Sequence, residues 1–100
     1  MNKYYDEIKF PGLVLVEQTG MYDYDWNVFT IFKEPSTRYY YWIDESGCSC
    51  IGPLEDVSKA DLDRGNIAEM RAAFKSWLES EPYMDPAERI EYLEKLHQIR

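Results

Sequence analysis

The sequence predicts an α+β fold, in which a small antiparallel meander of three or four strands is followed by two α-helices packed on one face. In the first half of the chain, aromatic and polar residues alternate as they do in strands. The second half changes to helical spacing, and the two kinds of segment do not alternate along the chain, which favours α+β. One hundred residues suit a single domain, 1–100, with a sheet region at about 10–55 and a helical region at about 58–100.

The first two strands follow from turn residues and alternation. The segment FPGLVLVEQTG predicts a short strand at about 13–18, because Pro11-Gly12 and Gly20 bound an aliphatic run. The segment YDYDWNVFTIF predicts a longer strand, because its apolar and aromatic residues recur at every second position. One face of this strand carries Tyr22, Tyr24, Trp26, Val28 and Phe32.

The returning strand is RYYYWID, after a turn at KEPST. Alternation places Tyr39, Tyr41 and Ile43 on one face of this strand, and Tyr40 and Trp42 on the other. The residues ESG predict a second turn, which leads into a short fourth strand at CSCI. The sheet region then ends at GPLED.

Two helices follow. In NIAEMRAAFKSWLES the apolar residues recur at helical spacing, with Asn66 as the N-cap. Asp85 predicts the N-cap of a last helix over 86–99, because Pro86 and Glu88 follow it at the expected positions. A shorter helical turn is predicted near 58–63, with Ser58 as its cap. The last helix is expected to bury Ile90, Leu93 and Leu96, together with Tyr92 and Ile99.

Composition excludes several classes of function. A net charge of −8 and a pI near 4.5 argue against direct binding to nucleic acid phosphates or to an anionic membrane. The longest aliphatic run, LVLV, is far shorter than the roughly 20 residues that span a bilayer. The N-terminal residues show no signal-peptide pattern, so a cytoplasmic protein with reduced thiols is expected.

The only two cysteines, Cys48 and Cys50, stand one residue apart. On an extended segment both thiols would point to one face, about 6.5–7 Å apart. This spacing is not that of a redox or zinc C-x-x-C motif, and a structural zinc needs four ligands. Packing as small apolar residues is the favoured interpretation, with no metal and no cofactor, and a metal-binding module is the alternative.

Nucleophilic catalysis lacks support in the sequence. A Cys or Ser nucleophile normally needs a nearby base, usually histidine. The single histidine, His97, stands near the end of the last predicted helix, where a cation interacts favourably with the helix dipole. The chain is therefore predicted not to be an enzyme.

The high aromatic content of the chain, with nine Tyr, three Trp and four Phe, points more directly to a function than the cysteines or the histidine do. Two helices can cover one face of the sheet, so the other must be covered by the termini, a second subunit or a partner. Tyr and Trp are enriched where interfaces concentrate their binding energy, although a thick core is the equal alternative. The predicted partner-binding residues are Tyr22, Tyr24, Trp26, Tyr40 and Trp42.

The segment from Tyr22 to Asp56 resembles a family of small proteins encoded by bacteriophages of actinobacteria such as mycobacteria. The resemblance lies in a Tyr/Asp-rich strand, a second strand and a distinctive Ser-Gly-Cys-Ser-Cys stretch, formed by Ser46, Gly47, Cys48, Ser49 and Cys50. Pro53 and Glu55 follow it, whereas Ile51-Gly52 departs from the family pattern. The resemblance implies expression in a bacterial host and assigns no role to the cysteines. It also makes the stretch a specified local structure, with Gly47 allowing a positive φ.

The sequence therefore predicts a non-catalytic phage accessory protein in the host cytoplasm that binds a host protein or forms a homodimer. The metal-binding module is one alternative. The other is an acidic nucleic-acid mimic that presents the helix carrying Glu88, Glu91 and Glu94 to a DNA-binding protein. Basic residues interrupt that acidic run, and a charged helix face is usually only solvated.

Overall fold

The computed structural model describes residues 10–22, 25–48, 54–55, 57–80 and 86–99. Within these ranges the chain forms four strands and two α-helices: β1 (Val14–Tyr22), β2 (Asp25–Glu34), β3 (Tyr39–Cys48), β4 (Asp63–Gly65), α1 (Ile67–Ser80) and α2 (Pro86–Gln98). The strands form one antiparallel sheet in the order β1-β2-β3-β4. The predicted α+β fold, an antiparallel meander followed by two helices, is confirmed.

The end of β3 differs from the prediction. Glu45, Ser46 and Gly47 do not turn but pair with β2. Because β2 extends back to Asp25, it offers backbone partners to this whole segment, and pairing overrides the turn preference of ESG. The predicted turn is therefore wrong, and Ser49 and Cys50 lie outside the described residues.

The fourth described strand also lies elsewhere than predicted, inside the region expected to be helical. It is the three-residue β4, which pairs with Tyr40, Tyr41 and Trp42 of β3. The short helical turn predicted just before it is confirmed as a 3-10 turn over Lys59–Asp61, with Ser58 at its N-cap. This turn leads the chain to the open edge of β3.

One face of the sheet, the helix face, carries Phe29, Ile31, Tyr40 and Trp42 under α1 and α2. Aromatic rings bring the two layers together, since Phe29 and Phe74 have ring centroids 5.1 Å apart. The helices and the residue that follows α2 complete this core with six more buried residues: Met70, Phe74, Trp77, Leu78, Leu96 and Ile99.

The opposite face, the loop face, carries Phe32 and Tyr41 and is covered by the chain itself. Irregular segments supply the cover, with Phe10 and Leu13 before β1 and with Leu54 and Leu62 after β3. The termini, a second subunit or a partner were proposed from the sequence as the cover of this face. In the structure the segment before β1 covers one part of it, and the chain between β3 and β4 covers another part.

Helix α1 begins as predicted at Asn66. The side-chain Oδ1 of Asn66 accepts a hydrogen bond from the Glu69 N–H at 2.8 Å, and the Glu69 carboxylate accepts one from the Asn66 N–H at 3.0 Å. This reciprocal pair is a capping box, which satisfies donors that the helix leaves unpaired. The predicted N-cap of the last helix, Asp85, lies outside the described residues.

Two arginines join the helices by reciprocal contacts. Arg71 of α1 donates to the carbonyl oxygen of Ile99, just beyond α2, at 3.0 Å. Arg89 of α2 donates to the carbonyl oxygen of Leu78, in the last turn of α1, at 2.6 Å. Each cation thus lies at the negative end of the other helix, where it is favourable.

The burial predicted for α2 is correct only in part. Leu96 and Ile99 are buried, and Tyr92 and Leu93 are partly buried, but Ile90 is 60% exposed. The prediction for Ile90 is wrong, because the side of α2 that packs against α1 and the sheet carries Leu96, whereas Ile90 lies on the side that faces solvent.

Candidate functional site

The Ser-Gly-Cys-Ser-Cys stretch acquires a structural role at Gly47. In the β2–β3 pairing Gly47 lies opposite Trp26, whose indole is buried. A Cβ atom at Gly47 would lie 2.6 Å from Cζ2 of Trp26 and 2.9 Å from its Cε2. Gly47 is not among the described glycines with positive φ, which are Gly12 and Gly20. The expected role is therefore wrong: glycine stands here because the indole needs its space.

Three of the predicted partner-binding residues are buried. Trp26 is 7% exposed, Tyr40 is 2% exposed and Trp42 is 8% exposed. Tyr22 ends β1 opposite Trp26, and its side chain, like all of Tyr24, lies outside the described structure. Because buried rings offer a partner almost no area, the geometry favours a contact surface elsewhere.

The aromatic residue that the described structure does expose is Tyr39, at 40%. Tyr39 begins β3 on the same face as Tyr41, beside the β2–β3 turn. The guanidinium carbon of Arg64 lies 4.1 Å from the centroid of the Tyr39 ring. This distance is well within the range of a cation–π interaction. Short strand β4 makes the contact possible, because it pairs Arg64 with Tyr41.

A second pair lies beside the first. The Nζ of Lys59 is 5.3 Å from the centroid of the Tyr41 ring, and it is 3.7 Å from Oε2 of Glu34. We define the hairpin surface as these neighbouring residues at the turn end of the loop face: Glu34, Thr37, Tyr39, Tyr41, Lys59 and Arg64.

Glu34 connects the members of the hairpin surface. Its Oε1 accepts a hydrogen bond from the Thr37 hydroxyl at 2.7 Å and another from the Tyr41 hydroxyl at 3.5 Å. The hydrogen bond from Thr37 and the charges of Lys59 and Arg64 lower the pKa of Glu34. Glu34 is therefore ionised at neutral pH, and its carboxylate contacts both members of the Lys59–Tyr41 pair.

The sequence contained part of the signal for this surface. The run of tyrosines at 39–41 pointed to aromatic residues on both faces, but alternation could not show which face the chain would cover. Arg64 gave no signal, because it follows a polar stretch with no strand periodicity. Its position becomes evident only from the pairing of β4 with β3.

The structure describes the residues of the nucleic-acid-mimic alternative but not all of those of the metal-binding alternative. In the described part of the chain no group of three or more His, Cys, Asp or Glu side chains is placed to hold a metal ion. Because the Cys48 side chain and all of Cys50 lie outside the description, the metal-binding module stays a prediction. Glu88, Glu91 and Glu94 are exposed on α2, so the nucleic-acid mimic also stays a prediction, and His97 is exposed in the last turn.

Comparison with known protein families gives a match over the whole sequence. The family model described as Domain of unknown function (DUF7574) matches residues 1–100. No curated protein and no solved structure matches the chain. Across the described residues, no helix is long and apolar enough to cross a membrane.

Proposed function

We infer that this chain, which belongs to the DUF7574 family of domains of unknown function, is a non-catalytic protein that binds another protein through the hairpin surface. The observation that carries the proposal is the exposed Tyr39 ring, with the Arg64 guanidinium 4.1 Å from its centroid. Tyrosine and arginine are the residue types, with tryptophan, that most often dominate the energy of protein interfaces.

The hairpin surface is also ordered before any partner arrives. Tyr39 and Tyr41 belong to β3, and Arg64 belongs to β4, so backbone pairing fixes both elements. The Thr37 hydroxyl also accepts a hydrogen bond from the Tyr39 N–H at 3.2 Å. Because ordering flexible side chains on binding costs free energy, a surface that is already ordered binds more tightly.

The charge of the hairpin surface indicates what kind of partner would bind it. Two cations of the hairpin surface, Lys59 and Arg64, share one carboxylate, Glu34, so the patch carries a positive excess in a chain of net charge −8. Arg38, in the adjoining turn, adds a further positive charge. A partner with acidic groups around an apolar or aromatic contact would therefore match this surface and be steered towards it.

The setting of the proposed function comes from the sequence resemblance and not from the fold. Ser46, Gly47, Cys48, Ser49 and Cys50 carry the resemblance to actinobacteriophage proteins. On this basis the protein would act as a phage accessory protein in the host cytoplasm. The partner would be a host protein or a second copy of the chain.

The test separates these two partners. Sedimentation equilibrium of the purified chain measures self-association, and quantitative capture from actinobacterial lysate, with identification of what is bound, measures a heterologous contact. We expect Tyr39→Ala and Arg64→Ala each to weaken the observed association at least tenfold. The control is Ile90→Ala, which removes the exposed apolar side chain of α2 and should leave association unchanged.

As a control, thermal unfolding of each variant measures whether the fold is retained. Association that survives both Tyr39→Ala and Arg64→Ala in folded protein would exclude the hairpin surface. Loss of association only in Ile90→Ala would place the contact on α2 instead.

A further inference from the structure

The loop face of the sheet is covered in part by Leu54, which has a strained backbone. Its side chain is 1% exposed and belongs to the same buried cluster as Phe32, Tyr41 and Leu62. Its φ is 69°, in the left-handed region that residues with large side chains seldom adopt. A residue stays in such a conformation only when its surroundings hold it there, and such residues are common where proteins switch between conformations.

Two features hold Leu54 in this conformation. One is the burial of its side chain, which removes apolar surface from water. The other is the carboxylate of Glu45 in β3, since both of its oxygens accept the Leu54 N–H at 3.2 Å. This distance is at the long end of the range for an N–H···O hydrogen bond. Because the strained backbone opposes both features, Leu54 is held less firmly than its burial alone would suggest.

The cluster that contains Leu54 continues into the hairpin surface through Tyr41. The Nζ of Lys59 lies 5.3 Å from the centroid of the Tyr41 ring, and the Tyr41 hydroxyl donates to Oε1 of Glu34 at 3.5 Å. Tyr41 is also a buried member of the apolar cluster. A partner that binds the hairpin surface therefore lies beside the site that the Leu54 side chain fills.

We propose that Leu54 fills a docking pocket for the partner and is displaced when the partner binds. We define the Leu54 pocket as the apolar site that the Leu54 side chain occupies in its cluster with Phe32, Tyr41 and Leu62. Because leucine fills it in the free protein, the pocket fits a leucine-sized aliphatic side chain of the partner. The inference rests on the proposed function, since it gives the partner of the hairpin surface an apolar anchor.

The charge beside the pocket adds to the description of the partner. Lys59 and Arg64 belong to the adjoining hairpin surface, so acidic residues on either side of the aliphatic one would be attracted there. Leu54 then acts as an autoinhibitory contact, because the apparent affinity of the partner is reduced by the fraction of molecules whose pocket is open. Release of Leu54 also relieves its left-handed conformation, which offsets part of the cost of exposing its side chain.

The first measurement is native-state hydrogen exchange of the full chain by NMR. If Leu54 is released while the helix face stays folded, its N–H should exchange about a hundredfold faster than that of Phe74 in α1, after correction for intrinsic rates. The Phe74 rate also reports global stability in each variant. Equal rates at Leu54 and Phe74 would mean that Leu54 is released only by global unfolding, and this would overturn the proposal.

The second measurement is binding of N-acetyl-leucinamide, a neutral probe with the side chain of leucine, followed by the chemical shifts of Tyr41 and Leu62. Glu45→Ala removes the carboxylate that holds the Leu54 N–H, so the probe should bind this variant about fivefold more tightly than the wild type. The matched control is Asp44→Ala, which removes an exposed carboxylate from the neighbouring position of β3, on the helix face, and should bind as the wild type does.

A smaller probe, N-acetyl-alaninamide, tests the fit of the side chain. It should bind Glu45→Ala more weakly than N-acetyl-leucinamide does, because a methyl group leaves most of the Leu54 pocket empty. Equal affinity of Glu45→Ala and the wild type for the leucine probe, or equal affinity of the two probes for Glu45→Ala, would overturn the proposal.

Neither measurement uses the protein partner, so each result is separate from the test of the hairpin surface. If association survives Tyr39→Ala while Glu45→Ala binds the leucine probe more tightly, the hairpin surface fails and the Leu54 pocket stands as an apolar binding site. If association depends on Tyr39 while Glu45→Ala and the wild type bind the probe equally, the pocket fails and the hairpin surface stands.

Discussion

The two faces of the sheet are covered by different means. On the helix face, α1 and α2 bury their aromatic and aliphatic side chains against β2 and β3 in one cluster. On the loop face, irregular segments place a few apolar residues on Phe32 and Tyr41. Polar groups also lie on or against this face, where Gln18 is buried and donates to the Thr30 hydroxyl at 3.2 Å.

Contacts from single side chains hold the cover of the loop face in place. The Glu45 carboxylate accepts hydrogen bonds from the Leu54 N–H, with both oxygens 3.2 Å from the nitrogen. Leu54 itself has a φ of 69°, an unfavourable conformation for a residue with a branched side chain. A face covered by helices has many equivalent contacts, whereas a face covered by loops depends on a few specific ones. The helix face should therefore contribute more to global stability, and the loop face should open first.

The largest expected effect compares two phenylalanines that are both 1% exposed, Phe74 on the helix face and Phe10 on the loop face. Phe74→Ala should lower the free energy of unfolding by about 3–5 kcal/mol, because the packed helix cannot fill the cavity. Phe10→Ala should cost only about 2 kcal/mol, because the segment before β1 can shift over the lost ring. Urea denaturation of both variants measures the difference. Equal losses would mean that the loop cover is as rigid as the helices.

A smaller effect is expected at Gly47, beside Trp26 on the loop face. Gly47→Ala should cost about 1–3 kcal/mol, since the new methyl group would displace a buried indole. The double variant Trp26→Phe/Gly47→Ala should lose less than the sum of the two single variants, because the smaller ring leaves room for the methyl group. Strict additivity in chemical denaturation would show that the ring and the glycine do not share this space.

The sequence predicted the elements whose periodicity is long enough to read. Strands β1 to β3 and helix α1 follow from alternation, from helical spacing and from the cap at Asn66. The boundary between the first two strands was wrong, because β1 runs through Gly20 to Tyr22, which was predicted to lie on the second strand. It could not predict β4, whose three residues Asp63–Gly65 carry no periodicity and take their strand conformation from pairing with β3. The hairpin surface depends on that pairing, so the contact between Tyr39 and Arg64 could not be predicted from the sequence either.

The burial of Trp26, on the loop face, was unpredictable for a related reason, whereas Tyr40 and Trp42 are buried under the helices. An aromatic strand with two apolar faces is compatible with an exposed interface or with a double-sided core. The choice depends on whether irregular segments cover the second face. Such segments are held by isolated contacts like that of Glu45 with Leu54, which leave no repeating pattern in the sequence.

The smallest expected effect concerns the charged part of the loop face, at Glu34. Thr37→Val removes the hydroxyl whose hydrogen bond is the largest cause of the lowered pKa of Glu34. The pKa of Glu34 should therefore rise towards its ordinary value of 4.5, as measured by NMR titration of the carboxyl carbon. Ser58→Ala is the control, because the Ser58 hydrogen bonds lower the pKa of Asp61 instead.

The sign of the stability effect follows from the direction of this shift. Since the folded pKa of Glu34 lies below the unfolded one, its ionised form stabilises the fold above the unfolded pKa. That contribution is lost as the pH falls through the folded pKa. In Thr37→Val the loss should come at a higher pH. If the titration of Glu34 is unchanged in this variant, the charges of Lys59 and Arg64 set its pKa. The hairpin end of the loop face would then be held by ion pairing, in contrast to the apolar packing of the helix face.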